Sequence, residues 1–213
     1  LASRSLPDYD ATHEVAGLSA PVEIARDNAN VPHIFGETDA DVFYGMGFAH
    51  AQDRLFQMML MRRTAQGKLS EVFGEATLPT DTLMRRLGIY AAAEASVNSQ
   101  TPDAMEAMEA YARGVNAWIT AVNSGAMGRG APEFFLFPAE ISYWRPVDSI
   151  ALMKLVAFQL SDQASSEVLR ARTSLLIGPD RLRDILPDAP GTGTALLTDY
   201  ASLFPTVPTY TDD

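Results

Sequence analysis

From Asp39 onward the apolar positions fall into helical rows. Val42, Met46 and Ala49 form one row, and Phe48, Ala51, Leu55 and Met58/Met59 form another. Two adjoining rows predict a long helix with a wide apolar face, opening the stretch Asp39 to Gly74. Thr38 precedes it as a candidate N-cap, and Asp39 and Asp41 bring negative charge to its first turn. Gly45 and Gly47 each cost such a helix about 1 kcal/mol relative to Ala, so they predict another backbone packed close by. His50, Gln52, Asp53 and Arg54 interrupt the apolar rows, and Arg62 and Arg63 follow the Met-rich turn. Polar groups beside so much apolar surface need partners. The expectation for them is a structural network of ion pairs and hydrogen bonds rather than a catalytic acid or base.

The same reading extends along the chain. Residues 1–20 are polar and mixed, an extended arm. Val22, Ile24 and Arg26 alternate with Glu23 and Ala25 as a short strand, Asp27–Asn30 is turn chemistry, and Val31 to Phe35 returns as a second strand. Pro32 puts that strand at an edge. One helix is expected over Thr80 to Asn98, with Leu83, Met84, Leu87 and Tyr90 inward and Arg85 and Arg86 in solvent. Thr101-Pro102-Asp103 is a strong helix start, with Met105, Met108, Tyr111, Ala112, Val115 and Ile119 on one face down to about Asn123. Three Phe between Phe134 and Phe137 predict a loop packed against the core or under a partner. A further helix from Pro146 to about Leu175 is apolar nearly all round through Ile150, Met153, Leu155, Val156, Phe158 and Leu160, which predicts burial. A short helix is expected near Asp180 to Leu186. The resulting organisation is an arm (1–20), a helical body (21–190) and a Pro- and Gly-rich tail (191–213).

Composition narrows the class. The chain has 213 residues, 47% of them hydrophobic, enough for one domain or for part of a larger assembly. The net charge of −11 argues against nucleic acid and anionic membrane surfaces as partners. No apolar run approaches the roughly 18 residues of a membrane helix. Without cysteine there is no disulfide or thiol chemistry. Leu1 in place of Met is what a processed product or a trimmed fragment would show, and the expectation is that no positively charged, apolar targeting segment remains in the sequence.

Chemistry is conspicuous by what the sequence lacks. There is no G-x-S-x-G elbow, no H-E-x-x-H, no Walker loop and no G-x-G-x-x-G. His13, His33 and His50 share no metal-ligand spacing; His33 is expected to be a structural hydrogen-bonding residue. No catalytic residue is assigned to this chain.

Several motifs in fixed order supply the missing context. They are R-D-x-x-x-V-P-H-I (Arg26 to Ile34), Y-G-x-G (Tyr44 to Gly47), A-Q-D-R-L-F-Q-M (Ala51 to Met58), R-R-x-x-x-G-x-L-S-E (Arg62 to Glu71) and G-V-N-A-W-I (Gly114 to Ile119). Together they resemble the small (α) chain of penicillin acylases, a branch of the N-terminal nucleophile hydrolases. The resemblance implies a predominantly helical small chain with a short N-terminal β-hairpin, forming part of an αββα heterodimer. It implies a large β chain whose N-terminal Ser is the nucleophile, a hydrophobic N-acyl amide as substrate, and a periplasmic or secreted address.

The resemblance also implies site residues. The acyl pocket falls in Met153, Val156, Phe158, Gln159 and Leu160. Glu167, in the run Ser161-Asp162-Gln163-Ala164-Ser165-Ser166-Glu167, takes the place of a glutamate that binds calcium together with large-chain ligands; on its own residues it is a solvated carboxylate or an i,i+3 partner of Arg170. Penicillin G acylases carry an Arg-Phe pair before the Ser-Asp where this chain has Gln159-Leu160, which leaves the amine side of the substrate open. Quorum-signal (N-acyl-homoserine-lactone) acylases of the same family are the alternative, and a non-catalytic helical binding module is the alternative from another class.

Overall fold

The computed structural model describes residues 7–125, 130–136, 141–161 and 163–177, with 181 and 184. Of the helix expected near Asp180 only residues 181 and 184 are described, both helical, and the tail 191–213 lies outside the described residues. Two compact units divide the chain, Leu1–Ala157 and Phe158–Asp213. The architecture is mostly helical with one small hairpin.

Strands β1 (Glu23–Arg26) and β2 (Pro32–Phe35) pair antiparallel, with Ile24 opposite Ile34 and Arg26 opposite Pro32. The Asp27 carboxylate closes the turn by accepting from the Ala29 and Val31 amides at 2.8 and 2.9 Å. Its hydrogen bonds from Val31 and from His33 hold its pKa below the usual carboxylate range.

Helix α1 (Asp39–Gln66) begins where Thr38 Oγ1 accepts from the Asp41 amide. It ends at Gly67, whose left-handed backbone (φ 63°) turns its N–H back to the carbonyls of Arg63 and Thr64. Arg54 is non-helical inside it (φ −138°, ψ 23°), which kinks the helix. The two glycines have the close neighbours their cost implies. A Cβ on Gly45 would meet Val22, just before β1, and Ile34 of β2 at 2.7 and 2.8 Å. One on Gly47 would fall on the Tyr111 carbonyl of α5 (Pro102–Asn123). Gly114 faces the Tyr44 carbonyl in the same way, so α1 and α5 cross with backbones touching.

Between them come α2 (Ser70–Phe73), a 3-10 turn (Gly74–Thr77), α3 (Leu78–Leu87) and α4 (Ile89–Val97). The single helix expected over Thr80 to Asn98 is two, because Gly88 takes a left-handed conformation (φ 65°) that caps α3. The break turns Asp81 and Met84 inward and leaves Leu83 and Leu87 exposed, against the expectation for those two leucines. Asp81 holds the α1–α2 corner by accepting from Leu69 N, Ser70 N and Ser70 Oγ. Arg85, expected in solvent, donates to the Gly67 carbonyl at 2.8 Å.

The core of the first unit joins Phe48, Leu55, Met58 and Met59 of α1 to Val115, Trp118, Ile119 and Val122 of α5. Phe48 and Trp118 meet edge to face, with centroids 5.4 Å apart. Burying each large side chain contributes about 1.5–3 kcal/mol. Phe134, in the 3-10 turn Pro132–Phe135, enters this core and stacks edge-on with Phe56. That is the core-packing outcome expected for the Phe loop; Phe137 lies outside the described residues.

Helix α6 (Pro146–Leu160) and α7 (Gln163–Ser174) replace the single helix expected to Leu175. The apolar circumference of α6 does not mean full burial. Val147, Ile150, Ala151 and Leu155 are buried, whereas Met153, Val156 and Leu160 are exposed. The chain supplies a core for one face only. In the second unit, Val168 and Leu169 of α7 are exposed as well. No described helix is long and apolar enough to cross a membrane.

Candidate functional site

The N-terminal end of α6 is held from three sides. Asp148, at the third helical position, reaches back to accept from Arg145 N at 2.8 Å, the carboxylate half of a capping box. Its Oδ1 accepts from the Tyr90 hydroxyl of α4 at 2.6 Å, and its Oδ2 faces Arg62 Nη1 of α1 at 3.4 Å. Both side chains of that ion pair are buried, at 7% and 2% exposure. Arg62 spends its remaining donors on the Tyr143 carbonyl (3.0 Å), the Ser142 carbonyl (3.2 Å), Ser142 Oγ (2.8 Å) and Met59 Sδ (2.8 Å). From α5, Asn116 clamps both backbone groups of Trp144, accepting from its N–H at 2.6 Å and donating to its carbonyl at 2.9 Å. Arg145 donates to the Tyr90 hydroxyl at 2.8 Å. Burial, reinforced by the Asp148 contact, raises the Tyr90 pKa and keeps it a proton donor.

With that end fixed, the face opposite the core is presented. Met153 is 63% exposed and Val156 38%, three residues apart on one side of α6. Leu160, four residues further and 81% exposed, ends the helix in the second unit, where Phe158 is half-buried and Gln159 exposed. Of the five residues expected to line an acyl pocket, Met153 and Val156 lie in the first unit and present apolar side chains to the outside; Phe158, Gln159 and Leu160 belong to the second unit. Such a stripe suits an apolar group or a partner surface. It has no chemistry of its own.

Glu167 is half-buried on α7, with Oε1 3.9 Å from Arg170 Nε. Among the described residues no group of three His, Asp or Glu could hold a metal. One carboxylate fits a hard cation as one ligand of the six to eight that calcium takes.

The polar groups of α1 find structural partners. Arg26 forms a two-pronged pair with Asp53 at 2.9 and 3.0 Å, reaches Gln52 at 3.3 Å, and lies under the Tyr9 ring. His50 Nδ1 is 3.1 Å from the Tyr111 hydroxyl. Burial pushes Tyr111 up to about 12 and His50 down, so this pair is neutral at ordinary pH. His33 bonds Asp27 in the hairpin turn. Among the described residues no serine or threonine hydroxyl shares a hydrogen bond with a histidine or lysine, so no activated nucleophile is built from them.

Sequence reasoning missed the Arg62–Asp148 pair. The signal was present: Arg62 continues the buried row of Leu55 and Met59 at helical spacing, and a cation there needs a buried acid. Its partner lay 86 residues away.

A family model described as "Penicillin amidase" matches residues 21–202. A penicillin acylase 2 proenzyme of Pseudomonas sp. (strain SE83) is 35% identical over 215 aligned positions, covering 95% of this chain and 27% of the relative. An acyl-homoserine lactone acylase of Pseudomonas syringae pv. tomato is 32% identical over 84% of this chain and 21% of its own length. The chain spans about a quarter of these curated relatives. A thermostable penicillin G acylase structure from Alcaligenes faecalis superimposes with TM-score 0.64 at 25% identity, covering 84% of this chain and 98% of that one. Ordered motifs, family model, relatives and fold agree: the chain belongs to the penicillin amidase family.

Proposed function

We propose that this chain is the small subunit of an acylase-type amidase that hydrolyses linear N-acyl amides and releases a hydrophobic carboxylic acid. The observation that carries the proposal is the exposed apolar face of α6 at Met153 and Val156, on a helix whose other face is buried at Val147, Ile150, Ala151 and Leu155. A hydrophobic acyl group laid on it gains about 25 cal/mol per Å² of apolar surface buried. The nucleophile is assigned to a larger partner chain beginning with Ser. A relative whose name includes "proenzyme" supports a chain cut from a longer precursor. Glu167 contributes one carboxylate to a calcium site completed by that partner, and the enzyme works in the periplasm or outside the cell.

Relatives named acyl-homoserine lactone acylases favour a second reading of the same site, in which the acyl group is a fatty chain on a homoserine lactone. Leu, Val and Met side chains accept either acyl group.

The test is purification of the native assembly, intact mass and N-terminal sequencing of its chains, and assay on two series: phenylacetyl amides including penicillin G, and N-acyl-homoserine lactones of increasing length. We expect a co-purifying larger chain with N-terminal Ser and acid release from one series. A lone 23 kDa species that hydrolyses neither would overturn the proposal and favour a binding module.

A further inference from the structure

We propose that the buried Arg62–Asp148 pair, with Tyr90 and Arg145 bonded at its rim, is a positioning device that sets the angle and register of α6, and through them the acyl groups that the Met153–Val156 face accepts. The selectivity half of this inference rests on the acylase reading above. The positioning half rests on geometry.

Three elements converge on one carboxylate. The Tyr90 hydroxyl from α4 occupies Asp148 Oδ1 at 2.6 Å. The cap of α6 itself, through Arg145 N, and α1, through Arg62, share Oδ2 at 2.8 and 3.4 Å. Arg62 also grips the backbone at Ser142 and Tyr143, just upstream of the helix. Each of these bonds has a preferred direction and length. The apolar contacts of Ile150, Ala151 and Leu155 are non-directional and tolerate sliding and rotation. A buried ion pair adds little net stability compared with apolar side chains of the same volume, and fixing register is the best-attested use of such a pair. The position of α6 is therefore specified at its N-terminal turn.

The helix then acts as a lever. Met153 and Val156 lie five and eight residues beyond Asp148, roughly 7.5 and 12 Å along a helix rising 1.5 Å per residue. A tilt of about 10° at the network moves Val156 by about 2 Å over that arm. A misplacement of about 1 Å is enough to cost up to 10²-fold in rate when a reacting group must be aligned. Short acyl groups that barely reach the wall are insensitive to such a shift; long ones are not.

The experiment uses the processed enzyme with its partner chain and two mild variants. Arg62→Lys keeps the charge and loses the planar fork. Tyr90→Phe removes one hydroxyl. Activity is read as kcat and KM on p-nitroanilides from acetyl to decanoyl and on the phenylacetyl compound. Hydrogen exchange is read by mass spectrometry over residues 150–157, with α1 and α5 as internal controls. The expected result is a change of about tenfold in the long-to-short ratio of kcat/KM, carried mainly by kcat, with faster exchange confined to α6. Variants that lose thermal stability but keep the wild-type ratio, with exchange rising equally in α1, α5 and α6, would overturn the inference. An enzyme inactive on every amide would sink the acylase reading and the selectivity half with it. Exchange then decides the positioning half alone: a selective rise in α6 supports it, and an unchanged α6 overturns it.

Discussion

His50 is exposed on one side, and partial burial of its ring holds the imidazole below its ordinary pKa, against the pull of Asp53, while the ring leans on Tyr111. The folded state therefore prefers neutral His50. Its contribution is fully present above the unfolded value of about 6.5 and is lost as pH falls from there toward the folded pKa. Several carboxylates titrate lower. Asp41 is held down first by the Ser19 hydroxyl. Burial works against the Asp81 carboxylate, but bonds from Ser70 and Leu69 more than offset it and lower its pKa. Their stability is present above about 3.9 and is lost as pH falls through the depressed values. Melting temperature against pH should therefore show two separate declines, one starting near 6.5 and one below about 4. In His50→Asn the upper decline should disappear and the lower one remain. An unchanged upper decline would show that other groups carry it. At this scale the sequence exposed the need but not the solution: His50 stands out within an apolar row, yet its partner is 61 residues away on another helix.

Helices with local signals were legible almost to the residue. Thr101 and Pro102 mark the start of α5, and Thr38 with Asp41 marks that of α1, because caps act within one turn. Gly88 was the weak point, since a glycine inside a periodic pattern can be either tolerated or a break, and here its left-handed φ makes it a break. The close crossing of α1 and α5 was legible only as a cost at Gly47; that Tyr111 of α5 sits against it was not. That crossing allows a stringent test. In Gly47→Ala or Gly114→Ala the new methyl falls on a carbonyl of the facing helix, and two rigid backbones must part. We expect a loss of about 3 kcal/mol or more, measured by urea unfolding. Gly125→Ala, where nothing lies near the added carbon, carries only the strain of its left-handed φ of 77°, about 1–2 kcal/mol, and is the comparison. Equal effects at both places would mean the crossing is looser than drawn.

On the scale of the whole chain, helix content, hairpin and family were all readable, because they rest on periodicity, turn residues and motif order. The open face of α6 was not. A helix apolar on every side predicts burial, and nothing in its own sequence says that this chain covers only one side. The proposed shared calcium belongs to this scale too, since one carboxylate at Glu167 is a fraction of a site. Chelation with EDTA should lower the melting temperature of the two-chain assembly, and Glu167→Gln should lower it similarly while abolishing the response to EDTA. A variant that still responds fully to EDTA would place any metal elsewhere.

The touching backbones of α1 and α5 also have a consequence during synthesis. Gln66 closes α1 and Asn123 closes α5, roughly 57 residues later. A ribosome adding about 5–20 residues per second leaves the first helix without its mate for roughly 3–11 s. Throughout that interval the Phe48, Leu55, Met58 and Met59 surface has no cognate cover. A nascent chain of this design is a natural client for chaperones that hold apolar segments, and translation speed between residues 66 and 123 becomes a determinant of yield.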